Sequence, residues 1–268
     1  MTFKFTIAFL LVASVAFIST KPTLKIVGGE EATAHEFPYQ ISLQWNFNDG
    51  EQEPMHFCGG SLLNANFVLT AAHCKTSYSD DGFIEVVAAD HDVAVAEGPE
   101  QRRLVERFTV HEGYGGSVSP DDIAVIRVDK PFELNDKVKP VKLPEQFEEF
   151  EGDVTLSGWG SVSTSYLPEY PDKLRKAVLP LVDYSSCHAL WGFDSVLVQS
   201  NVCAGPLDGS KSACSADSGG PLVKQSGNEV ILVGVVSWGA VPCGAPYRPT
   251  VFAGVSWYVD WIEKQLHV

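Results

Sequence analysis

Thr70-Ala71-Ala72-His73-Cys74 and Ala216-Asp217-Ser218-Gly219-Gly220-Pro221 lie far apart in the chain, yet between them they hold the residue types of nucleophilic catalysis. A serine hydroxyl is a weak nucleophile at neutral pH until a positioned base accepts its proton. Small residues around Ser218 leave its oxygen exposed and set backbone N–H groups beside it, where they can stabilise an oxyanion. His73 is the candidate base. Asp122, in Asp121-Asp122-Ile123-Ala124-Val125, is the candidate carboxylate that orients it. His35, His56, His91, His111, His188 and His267 have no comparable surroundings and are assigned no role.

Such groups must be held by rigid elements, and the rest of the sequence reads as β-structure. Short apolar or alternating runs recur at Tyr39–Leu43, Phe67–Leu69, Ile84–Val87, Ala124–Val128 and Val230–Val236. Gly, Pro, Asn and Asp clusters punctuate them, the pattern of a barrel or a sandwich. Near the C-terminus, Val255, Tyr258, Val259 and Ile262 follow helical spacing. No internal repeat or low-complexity tract interrupts the 268 residues.

With these motifs in hand, the chain from Ile26 onward resembles the chymotrypsin-like, trypsin-fold serine proteases, whose triad also runs His, Asp, Ser. The α/β-hydrolase esterases differ: they carry Gly-x-Ser-x-Gly and the order Ser, acid, His. The resemblance implies an all-β fold of two six-stranded antiparallel barrels with a C-terminal α-helix packed on the second. It divides the chain into barrels at residues 26–140 and 141–268, with the active site between them. It assigns His73, Asp122 and Ser218 to the triad and leaves Asp121 as a solvated neighbour. Six cysteines allow 15 pairings, of which the resemblance implies Cys58–Cys74, Cys187–Cys203 and Cys214–Cys243, a reduced set that looks like arthropod members. Zinc binding is disfavoured, since no paired CxxC or HxxxH spacing occurs.

The resemblance extends to activation and specificity. Cleavage after Lys25 would free an ammonium on Ile26, at Ile26-Val27-Gly28-Gly29, to pair with Asp217 beside the nucleophile. The implied oxyanion donors are the N–H groups of Ser218 and Ala216; the family usually has glycine at the latter position. An alanine forced into left-handed backbone costs about 1–2 kcal/mol and its methyl crowds the leaving-group side, so weakened activity is expected. The pocket is implied by Ser212, Ala213, Ser237, Trp238, Gly239 and Thr250. Ser212 stands where trypsins carry an aspartate, and Thr250 narrows the floor. These residues predict a specificity between chymotrypsin and elastase, with cleavage after uncharged side chains, aromatics among them, and Leu, Met or smaller aliphatics favoured over Trp. No cofactor is expected, although Asp90, Glu97 and Glu100, with backbone oxygens of Asp92 and Val95, resemble a structural calcium loop.

The N-terminal segment predicts a secreted protein. Residues 1–16 carry Lys4, then the apolar run Ile7–Ala13, then small residues, as a secretory signal does, leaving 17–25 as an activation peptide. Removing residues 1–25 takes away three lysines and no acid, moving the formal charge from −15 to −18. That balance argues against nucleic-acid or anionic-membrane partners. Expected partners are protein or peptide substrates, a trypsin-like activator and inhibitors such as serpins, with the protein itself a monomer. The rival reading is an impaired protease homologue that acts by binding, kept open by Ala216.

Overall fold

Thirteen strands supply most of the regular secondary structure among the residues that the computed structural model describes, 26–47, 50–75, 82–192 and 194–267. The signal and activation segments, including Lys25, lie outside the described residues. The first barrel comprises β2 (Gln40–Asn46), β3 (Met55–Asn64), β4 (Phe67–Thr70), β5 (Phe83–Ala88), β6 (Gln101–Val110) and β7 (Ala124–Val128), closed in the order β2-β3-β4-β7-β6-β5. The second comprises β8 (Asp153–Gly158), β9 (Arg175–Val182), β10 (Asn201–Ala204), β11 (Pro221–Ser226), β12 (Glu229–Trp238) and β13 (Thr250–Gly254), closed where β8 pairs with β9. All pairings within the barrels are antiparallel. The short β1 (Glu30–Glu31) adds to the edge of β9.

Strand period explains both the core and the polar seam. On β2, Ile41, Leu43 and Trp45 are buried in the first barrel's core. The intervening Gln40, Ser42 and Gln44 emerge on the other face and are also buried. They are satisfied by side-chain partners: Ser157 Oγ donates to Gln40 Oε1 at 2.6 Å, Ser42 Oγ meets His56 Nδ1 at 2.8 Å, and Gln44 Nε2 donates to Asp90 at 2.8 Å. In the second barrel Leu156, Leu179, Leu222, Val233 and Phe252 form the core.

Among the described residues two α-helices complete the fold. The sequence reading did not foresee α1 (Tyr184–Trp191), whose N-terminus is capped by Asp183 Oδ1 accepting from Ser186 N at 2.9 Å. The expected C-terminal helix is a 3-10 turn (Val255–Trp257) followed by α2 (Val259–Leu266). It does not rest on the second barrel alone. Trp261 Nε1 donates to Glu112 at 2.8 Å, and Tyr258 Oη lies 2.9 Å from Asp121 Oδ1, so the helix bridges to the first barrel. Asp121 is therefore a tertiary anchor, correcting its reading as a solvated neighbour. No helix of the described residues is long and apolar enough to cross a membrane.

Candidate active site

His73 lies on a 3-10 turn (Ala72–Lys75) directly after β4, Asp122 just before β7, and Ser218 in the turn leading into β11. Both barrels thus contribute from strand ends. Asp122 is buried, 4% exposed, and its carboxylate is held three ways. Oδ1 accepts from His73 N at 2.9 Å; Oδ2 lies 2.7 Å from His73 Nδ1 and accepts from Ser237 Oγ at 2.6 Å. Two bonds from one residue fix the imidazole ring relative to its own backbone and commit Nδ1 to the carboxylate, so Nε2 is the nitrogen suited to act as base. The third comes from the other barrel. The β12–β13 register slips between Val236 and Trp238, making Ser237 the extra residue of a bulge. Such bulges re-aim a side chain, here onto Asp122. The sequence reading had Ser237 only as a substrate-binding residue.

The Ser218 turn is pinned from several sides. Ser218 O accepts from Gly59 N at 2.7 Å, Gly219 N donates to Val236 O at 2.8 Å, and Gly220 N donates to Asp217 O at 2.9 Å. Gly219 has φ of +76°, and a Cβ there would fall 2.2 Å from Thr70 Oγ1, so no other residue fits. Ala216 adopts φ of +75°, the left-handed backbone expected of it. Its carbonyl lies 3.0 Å from His56 Nε2. The sequence alone assigns His56 no role; its half-buried ring packs against Trp159, and desolvation lowers its pKa to about 4. The neutral ring can bridge Ser42 and Ala216 and so lock the turn. No local signal marks that contact, because its partners are 160 positions apart.

Asp217 points away from solvent, 1% exposed, accepting from Gly160 N at 2.8 Å and Cys214 N at 2.9 Å. A Cβ on Gly160 would sit 2.1 Å from that carboxylate, which is why the cradle is glycine. Burial raises the Asp217 pKa to about 7, and no cationic side chain among the described residues pairs with it. Nearby, the chain after Ile26 is docked: Val27 is buried and its carbonyl accepts from Ser212 N at 3.3 Å.

Beside Ser218 opens a cavity of about 220 Å³, lined by Ala213, Ser215, Val236–Val241, Cys243 and Thr250 among others. Five of the six expected pocket residues (Ala213, Ser237, Trp238, Gly239 and Thr250) line it; no carboxylate does. Ser212 does not line it and is buried, with no partner for its hydroxyl. Thr250 Oγ1 accepts from Ala213 N at 3.2 Å, tying two walls together. Trp191 of α1 stacks edge-on against Trp238, 4.7 Å between centroids, and donates to Pro249 O, bracing the rim. The three disulfides pair as the resemblance implied, Cys58–Cys74, Cys187–Cys203 and Cys214–Cys243, with no free cysteine.

A family model described as Trypsin matches residues 26–262. The chain belongs to the trypsin family of serine proteases. It is 37% identical to Trypsin-1 of Astacus astacus over 240 residues, which cover 89% of this chain and 98% of that protein. It is 35% identical to Trypsin of Sus scrofa over 242 residues, 90% and 96% of the two chains. Lectizyme of Glossina austeni shares 36% over 257 residues, 91% and 88%. Membership makes the protein a serine-type endopeptidase with protein substrates.

The family's calcium loop does not fit here. Asp90 is turned inward onto Gln44, while Glu100 accepts from Glu97 N and Gly98 N, and Glu97 from Asp92 N. Among the described residues Asp90, Glu97 and Glu100 do not converge as hard-oxygen ligands must. The one convergent trio, Cys58, His73 and Cys74, is a disulfide beside the triad histidine.

Proposed function

We propose that this trypsin-family protein is a secreted endopeptidase, made as a zymogen, that cleaves after uncharged residues through an acyl-enzyme on Ser218. His73 takes the Ser218 proton as the oxygen attacks the scissile carbonyl, then returns it to the leaving amine. Asp122 holds the required tautomer and stabilises the imidazolium; its three hydrogen bonds are the observation that carries this assignment. The N–H groups of Ala216 and Ser218 receive the oxyanion, and water repeats the sequence on the acyl-enzyme. Ser237-Trp238-Gly239 pairs with the acyl side of the substrate as an added strand.

The pocket supports the uncharged preference. A lysine or arginine entering a cavity with no carboxylate gives up hydration without a counter-charge, several kcal/mol of penalty. A leucine or methionine gains about 1.5–3 kcal/mol from burial. The relatives named trypsin make cleavage after Lys or Arg the competing preference; a cavity lining without a carboxylate favours the uncharged reading. For activation, cleavage after Lys25 would give Asp217 the partner it lacks. The docked Val27 supports a short path for Ile26.

The test treats the precursor with trypsin, then with a fluorophosphonate probe, Ser218→Ala serving as the control. Labelling that appears after cleavage at Lys25 and vanishes in the control is the expected result; peptide profiling then reports the residue before the cut. Correctly cut, folded protein that stays unlabelled refutes the reading and leaves a binding homologue.

A further inference from the structure

A second cavity, of about 750 Å³, borders Ala216 and His56 and extends between the β2–β3 connection and the loop after β5. We propose that it binds a lysine or arginine side chain on the leaving-group portion of the substrate, an inference that rests on the endopeptidase reading above. The acyl side of the substrate occupies the small cavity and the Ser237–Gly239 strand, so the chain beyond the scissile bond runs past Ala216, toward this second space.

Its charge is one-sided. Glu53, Asp90, Asp92, Glu100 and Asp172 line it, against the single cation Arg102. Arg102 is already committed, its Nη1 donating to Glu85 at 3.0 Å and Gln44 at 2.8 Å. Asp90 supplies the independent sign of a ligand. It is 5% exposed, Gln44 satisfies only Oδ2, and Oδ1 is buried with no partner. Buried carboxylate oxygens are ordinarily paired. An ammonium or guanidinium reaching Asp90 fills that vacancy, while the exposed Met55 and Tyr170 in the walls receive its apolar stem.

The experiment uses quenched fluorescent peptides with one acyl side and with Lys, Ala or Glu at the second or third residue after the cut, assayed at pH 8. The lysine peptide should exceed the alanine peptide in kcat/KM by about five- to tenfold, with the glutamate peptide slowest. Asp90→Asn should bring the three together while changing kcat/KM for a peptidyl amide that lacks leaving-group residues by less than about twofold. If Asp90→Asn fails to fold, the exposed pair Glu53→Gln with Asp172→Asn should shrink the lysine advantage instead. Equal rates in the parent enzyme, or a lysine preference that survives the substitutions, overturn the proposal. Failure of the underlying reading looks different: no peptide is cut and Ser218 stays unlabelled, which overturns both.

Discussion

Ala216→Gly probes the oxyanion turn at its strained residue. Ala216 holds φ of +75°, which costs a residue bearing a Cβ about 1–2 kcal/mol. Glycine removes that strain but gives the unfolded chain extra freedom, worth roughly 0.4–1 kcal/mol in the opposite direction. The difference is a stabilisation of about 0.5–1 kcal/mol, or about 1–3 °C in Tm for a domain of this size. Activity should rise as well. The alanine N–H is still available to an oxyanion, so the substitution does not restore a missing donor, an effect that would reach about 10²–10³. What it removes is a methyl on the leaving-group side, and a gain of about three- to tenfold in kcat/KM corresponds to roughly 1 kcal/mol of crowding. The increase should be larger for peptides than for esters with small leaving groups. Calorimetry and steady-state kinetics on the activated enzyme measure both quantities. A lower Tm together with lower kcat/KM would refute the reasoning, because it would mean that the alanine rigidifies the turn more than it strains it.

Ser237→Ala removes the third bond on the buried Asp122; loss of about 1–3 kcal/mol should lower kcat about tenfold or more on short substrates, and an unchanged kcat would show the bond to be idle. Thr250→Gly should raise kcat/KM for Phe and Tyr substrates relative to Leu and leave Ala213 N without its acceptor, lowering stability by about 1 kcal/mol; substrate profiling and urea unfolding check the two. In the uncut precursor, His56 and Asp217 give opposed pH dependences. The unfolded histidine protonates near 6.5 and the folded one near 4, so the His56 contribution is intact above 6.5 and falls by about 3 kcal/mol as pH drops to 4. Asp217 keeps its proton to about 7 when folded but loses it near 3.8 when unfolded, so its contribution falls by about 4 kcal/mol as pH rises from 4 to 7. Asp217→Asn should therefore unmask a stability that rises with pH across that window, and unfolding midpoints that fail to diverge from those of the parent precursor would dispose of the buried, protonated carboxylate.

The parts of this molecule legible in sequence are those whose chemistry is local. His73, Asp122 and Ser218 each sit in a short motif, and the strand Ala124–Val128 falls where its apolar run placed it. Helix α1 is not legible because its apolar residues do not gather on one face and it is a two-turn element set by the Asp183 cap. Ser237 was readable as part of a substrate strand, but its grip on Asp122 depends on a one-residue slip between β12 and β13 that no run of side chains announces. Asp121 looked solvated because its partner, Tyr258, lies 137 residues away. The acidic loop resembled a calcium site by its residue types. Those same carboxylates find backbone N–H donors and a buried glutamine instead, a competition decided by packing.

The same contrast separates the triad from the turn that serves it. The triad histidine is oriented by two bonds to one aspartate. The oxyanion turn depends on contacts from both barrels: His56 on the Ala216 carbonyl, Gly59 on the Ser218 carbonyl, Gly160 on the Asp217 carboxylate. Each closes a long loop of chain, and the His56 and Gly59 contacts are lost if the barrels shift against one another, whereas the His73–Asp122 pair lies within the first barrel alone. The cut proposed after Lys25 therefore has its natural target in the turn. A charge added beside Asp217 changes the balance of a carboxylate that is buried without a counter-charge, and it does so without disturbing the general base. The strained alanine raises the stakes, because a left-handed residue relaxes as soon as the bonds on either side of it let go.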